Sequence, residues 1–141
     1  MSAKQISLVI GVALYALLAV SWAGMPAPEG AKVYFISPTD GETLSSPVTV
    51  RFGLSGMGVA PAGTDKENTG HHHLLIDVDE LPALDRPVPK DEKHMHFGGG
   101  QTEASIELTP GKHTLQLLLG DMNHMPHEPA VVSEKITIEV K

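Results

Sequence analysis

Residues 47–54, PVTVRFGL, alternate in character: Val48, Val50, Phe52 and Leu54 point one way, Thr49 and Arg51 the other. A period of two belongs to a half-buried β-strand, because successive side chains leave opposite faces of an extended chain. Working outward, KVYFIS at 32–37 forms a strand that ends in the turn Pro38-Thr39-Asp40-Gly41. Residues 55–70 are rich in Gly, Pro and Ala and read as a long loop. HHHLLIDVD at 71–79 gives a third strand with Leu74, Ile76 and Val78 on one face, and 80–93 returns to loop, its ladder broken by Pro82, Pro87 and Pro89. EASIEL at 103–108 turns Ala104, Ile106 and Leu108 inward. GKHTLQLLLGD at 111–121 does the same with His113, Leu115, Leu117 and Leu119, and VVSEKITIEV at 131–140 with Ile136, Ile138 and Val140. Pro110-Gly111 suits a hairpin turn between the first two of these. No stretch holds a helical period for three turns, so the expectation is all-β. Six or seven short strands in the mature chain suit an immunoglobulin-like Greek-key β-sandwich better than a closed barrel.

The chain has 141 residues, 41% hydrophobic and 19% charged, which suits one modest domain. A net charge of −7 excludes nucleic acid as an expected partner, since phosphate contacts need a basic surface. The absence of cysteine removes disulfides, thiolate metal sites and lipid attachment through cysteine, and leaves His, Met and carboxylates as metal ligands.

Lys4, the apolar run Ile6–Val20 and the small residues Ser21 and Ala23 around Trp22 read as a secretory signal peptide cleaved near Ala23. The expected organisation is therefore a signal peptide at 1–23 and one β-sandwich domain at 24–141. Cleavage takes the net charge from −7 to −8, and the expected location is the periplasm. Membrane contact is expected only if the segment stays uncleaved as an anchor.

Five of the eight histidines fall in two groups, His71-His72-His73 and His94-Met95-His96. On a strand, residues i and i+2 share a face about 7 Å apart, which lets His71 with His73, or His94 with His96, address one ion. Parity sends His72 to the core face with Leu74 and sets His71 and His73 on the other. Asp121-Met122-Asn123-His124-Met125-Pro126-His127 adds two imidazoles on a loop, a natural ligand platform. The candidate metal ligands are thus His71, His73, His94, His96, His124 and His127, while His113 reads as structural. Imidazole suits copper, zinc and nickel, and the neighbouring thioethers of Met95, Met122 and Met125 tilt the choice toward copper, with zinc as the alternative. Met95 is also a ready core filler. Other chemistries find little footing: Gly98-Gly99-Gly100 lacks the Lys-Ser/Thr of a phosphate loop, no serine sits in a nucleophile elbow, and no oxygen ladder suits calcium.

At GHHHLLIDVD, DEKHMHFGGGQTE and PGKHTLQLLLGDMNHMPHEP the chain resembles a bacterial exported family known only as a domain of unknown function. The resemblance covers most of residues 31–141. It implies an envelope location and marks His71, His72, His73, His94, His96, Gly98, Gly99, Gly100, Asp121, His124 and His127 as the family's motif positions. A slighter likeness, through the His94-Met95-His96 pair alone, is to copper-containing superoxide dismutases, and it is an analogy of motif.

The leading expectation is a periplasmic His/Met-rich metal-binding protein, with copper as the expected metal and a role in its sequestration, delivery or tolerance. Reversible coordination by neutral imidazoles implies affinity that falls through the histidine range near pH 6.5. Two alternatives stand beside it. A copper redox enzyme such as a superoxide dismutase requires an open coordination position. A structural or interaction module of the envelope, with the histidines serving as a pH-sensitive polar cluster, requires no metal.

Overall fold

The computed structural model describes residues 23–141, so the expected signal peptide lies, apart from Ala23, outside the described residues. Among the described residues there are nine strands: β1 (Lys32–Ser37), β2 (Thr43–Leu44), β3 (Val48–Ser55), β4 (Gly58–Val59), β5 (Thr69–Ile76), β6 (His94–His96), β7 (Glu103–Ile106), β8 (Gly111–Gly120) and β9 (Ile136–Val140). Among the described residues there is no helix. The strands form two sheets, β1-β3-β7 and β2-β9-β8-β5-β4, with β6 also pairing β5. The fold is the all-β, immunoglobulin-like sandwich that the alternation predicts.

The alternation also sets the core. Val48, Val50 and Phe52 of β3 meet Leu74 and Ile76 of β5, Leu115, Leu117 and Leu119 of β8, and Ile136, Ile138 and Val140 of β9 in one buried cluster. Each fully buried leucine contributes about 1.5–3 kcal/mol through the apolar surface it removes from water.

Several local expectations are corrected. The segment 55–70 contains β4, which pairs in parallel with β5 through Gly58 opposite Thr69. β5 begins at Thr69 and ends at Ile76, where Asp77 takes a left-handed φ of 53° and stops the ladder. Of the last predicted strand, 136–140 forms β9, while Val132 makes an isolated bridge to Leu118 of β8. Pro110-Gly111 does not close a hairpin: β7 pairs with β3 in one sheet and β8 with β5 and β9 in the other, so this turn carries the chain between sheets.

β5 is the central feature. β8 flanks one side and β6 and β4 the other, and every residue of it is buried. His72, Leu74 and Ile76 face the core. On the opposite face Leu75 packs with Leu118 and Val88, placing residue 88 of the proline-rich segment 77–93 across the outside of the larger sheet. A strand covered on both faces carries little polar–apolar alternation, which is why HHHLL looks unlike the strand at 47–54.

Candidate metal centre

β5 delivers His71 and His73 to its outer face, and both are fully buried. Their ring centroids stand 4.6 Å apart, closer than the strand repeat, with the ring planes at 47°. The third ring comes from the 121–127 loop, where His124 lies at a positive φ of 63°. Its Nδ1 is 2.9 Å from His71 Nε2 and 3.4 Å from His73 Nε2. One ligand nitrogen from each of the three residues therefore falls within 4.8 Å of the others, an arrangement that can hold a metal ion.

Asp121 builds the loop. Its Oδ1 accepts the N–H groups of Asn123 at 2.8 Å and Met125 at 3.0 Å, and its Oδ2 accepts the N–H of Met25 at 3.1 Å. The carboxylate is 3% exposed, so it acts as a buried anionic cap that holds the turn carrying His124. The backbone closes the same turn, His124 N–H donating to the Asp121 carbonyl and Asp121 N–H to that of Met125. Gly120, at the end of β8, leaves room for the imidazole: a methyl group there would overlap the His73 ring.

Electrostatics keep the rings neutral. Burial, followed by the charges of His124 and His96, pushes His71 down to about 4. Burial and the neighbouring imidazoles His71, His96 and His124 push His73 down to about 2. His124 is lowered by partial burial, then by His96 and Lys90, against the opposing pull of Asp121. At neutral pH all three thus present lone pairs rather than charge.

The other candidates are placed differently. His96 lies directly opposite His73 in the β5–β6 ladder, its ring centroid 4.4 Å from that of His73 and 4.8 Å from that of His124, while its Nε2 donates to the Pro89 carbonyl at 2.7 Å. It flanks the triad. His94 turns its Nδ1 to the Asp91 carboxylate at 2.7 Å, and that hydrogen bond first of all lowers the Asp91 pKa. His127 is buried and directs Nε2 to the Thr69 carbonyl at 3.1 Å. His72 stacks on Phe52 at 5.1 Å in the core, where burial lowers it to about 4. His113 is a structural residue as expected: burial lowers it, but Asp77 at 2.7 Å and the Thr109 carbonyl outweigh this and raise its pKa. Met95 sits opposite Leu74 and packs against the core, on the side away from the triad, and Met125 is buried.

Two contributors lay outside the sequence reading. Gly120 was one, and its only trace is a glycine where β8 would otherwise continue its leucines. The other is the pair Val88 and Pro89, on a segment that reads simply as loop.

The fold and site define an all-β sandwich domain that carries a buried three-histidine constellation able to hold a metal ion. The chain belongs to the family described as domain of unknown function DUF4399, whose model matches residues 50–141 and so spans every histidine of the site. No curated protein and no solved structure matches the chain.

Proposed function

We propose that this domain is an exported metal-binding module that coordinates one copper ion through His71, His73 and His124, for sequestration, delivery or tolerance of the metal. The observation that carries the reading is the convergence of three neutral, largely buried imidazole nitrogens within 4.8 Å. Burying them is costly. His71 Nδ1 and His73 Nδ1 have no hydrogen-bond partner, and each such orphan costs about 1–3 kcal/mol. An apolar face would pack there without that loss, but core-facing His72 has both ring nitrogens unpartnered as well, so the reading rests on the convergence of His71 Nε2, His73 Nε2 and His124 Nδ1 and not on the unpartnered atoms.

With Met95 turned into the core, the thioether argument for copper weakens, and the preference rests on nitrogen donors. For such sites divalent copper stands highest in the affinity order, with zinc next in relevance. Export to the periplasm is supported by Lys4, the apolar run Ile6–Val20 and the small residues before Gly24.

The test is elemental analysis of untagged protein from a periplasmic preparation, followed by copper and zinc titration of the apo form beside His73→Ala. One tightly held ion per chain, lost in the variant, is the expected result, with copper displacing zinc. Absence of stoichiometric binding in both proteins overturns the proposal and favours the envelope module that binds a protein partner instead.

A further inference from the structure

The segment 77–93 crosses the outer face of the larger sheet and is tied to the site at two adjacent residues. Val88 donates its N–H to the His124 carbonyl at 2.9 Å, and the Pro89 carbonyl accepts from His96 Nε2 at 2.7 Å. Between these ties the Val88 side chain is buried against Leu75 and Leu118. The rest of the segment has little apolar anchorage: Leu81 and Leu84 are exposed, as are Arg86, Pro87 and Lys90. The two ends of the segment are tied down, Asp77 to His113 and Thr114, the Val78 and Asp79 carbonyls to Lys135, and Asp91 to His94. The stretch 80–90 between them is held to the sheet by one buried side chain and two hydrogen bonds, which puts it at the low end of local stability.

A carbonyl only accepts, so the Pro89 contact fixes the proton of neutral His96 on Nε2 and leaves the lone pair on Nδ1. This is the arrangement of a metal-ligating histidine, whose second nitrogen donates to a backbone carbonyl that sets tautomer and ring orientation. The ring already stands beside those of His73 and His124. Resting on the metal-binding reading above, we propose that His96 Nδ1 is a fourth ligand and that metal occupancy latches the stretch 80–90, through His96–Pro89 and His124–Val88, onto the sheet.

The coupling is a matter of linkage. An ion bound to β5 and to both anchoring histidines binds the closed segment better than the open one, so it suppresses opening; by reciprocity, opening weakens the ion's hold. Metal loading thereby changes the accessibility of a charged, proline-rich surface that includes Arg86, Pro87 and Lys90, and the protein gains a surface that reports its metal state.

Hydrogen–deuterium exchange of residues 80–90, with the Val88 amide as the direct reporter, tests this with copper(II) and with zinc(II) alone. The variant is His96→Gln, which keeps an N–H donor for the Pro89 carbonyl and lacks the imidazole lone pair. Wild type is expected to exchange about tenfold or more slowly in this segment at saturating metal. The variant is expected to bind metal more weakly, to lose that protection, and to show one fewer nitrogen donor in the electron paramagnetic resonance spectrum of its copper complex. Metal binding with unchanged exchange, or an unchanged spectrum and affinity in His96→Gln, overturns the latch while leaving the triad intact. No binding to wild type overturns both readings.

Discussion

His71 Nε2 and His124 Nδ1 face one another across 2.9 Å, one on a buried strand and the other on a loop 53 residues further along the chain. His73 Nε2 approaches the same Nδ1 from the other side at 3.4 Å. One nitrogen cannot form full hydrogen bonds to both if each neighbour presents a lone pair, and in a dry environment the unmet pairs are costly. A cation resolves the frustration by accepting all three lone pairs. The same geometry that makes the apo protein less stable therefore makes the site a better ligand set.

That trade sets the first prediction. His73→Leu replaces a buried ring with an apolar side chain and removes the orphaned Nδ1. The apo variant is expected to be more stable than wild type by about 1–3 kcal/mol, the usual cost of an unsatisfied buried group. Metal affinity is expected to fall at least about a hundredfold, or roughly 2.7 kcal/mol. Chemical denaturation and metal titration of the same samples read the two effects, which should carry opposite signs. A variant that is less stable and still binds metal would assign His73 to packing.

The second prediction concerns pH. Unfolded histidines titrate near 6.5, whereas His71 and His72 sit at about 4 and His73 at about 2 in the folded chain. Below pH 6.5 the unfolded state binds more protons than the folded one, so apo stability is expected to fall as pH drops from about 6.5 toward 4. His71 and His72 each contribute up to about 3 kcal/mol to that loss. Proton competition for the metal in the folded state begins correspondingly lower. Affinity is expected to decline at a lower pH than it would for exposed imidazoles, with His124, the least buried ring of the triad, protonating before His71 and His73. The fall near pH 6.5 expected of exposed imidazoles is thus displaced downward by burial. Denaturation curves and copper titrations at half-unit steps between pH 4 and 8 separate the two trends.

A third prediction falls on Asp121, which touches no other site side chain by hydrogen bond but holds three backbone N–H groups. Asp121→Ala leaves the Met125 N–H buried without a partner and those of Met25 and Asn123 partly buried, and is expected to cost about 1–3 kcal/mol of stability. Asp121→Asn keeps the oxygen that serves Asn123 and Met125 but turns an amide toward Met25 N–H, so a smaller loss is expected. Because the cap holds His124 at its left-handed φ, both variants are expected to weaken metal binding in the order of their stability loss. Thermal unfolding with and without metal measures this order.

The fold was legible wherever one face of a strand meets solvent. At 47–54, 103–108 and 136–140 the polar residues mark the outside, and the inward sides named from parity form the core. Parity also separated His72 from His71 and His73, because two-residue alternation holds even in a fully buried strand. What stayed hidden was pairing between distant segments. Nothing local to His94-Met95-His96 tells that His96 stands opposite His73 while His94 turns back to an aspartate three residues earlier, since register depends on strands far apart in sequence. The proline-rich segment 77–93 reads as loop because its backbone is loop; its importance lies in one buried valine and one carbonyl, and neither leaves a pattern.

The last prediction uses the tightest packing at the site. Gly120 closes β8 opposite His71 in the ladder, and a methyl group added to it would overlap the His73 ring and press within 3.4 Å of the His124 Cα. The backbone cannot yield easily there, because Gly120 also bridges to Pro126 at the base of the histidine loop. In Gly120→Ala the His73 imidazole must therefore move. Overpacking of this kind costs about 1–3 kcal/mol. Metal affinity is expected to drop by more than stability does, because coordination depends on the ring's position to within a fraction of an ångström whereas packing tolerates its displacement. The comparison with His72→Ala is informative, since that substitution leaves a cavity on the core face of the same strand. It is expected to cost more stability and less affinity than Gly120→Ala, and measuring both quantities for the pair would show whether the outer face of β5 is organised for the ion or for the fold.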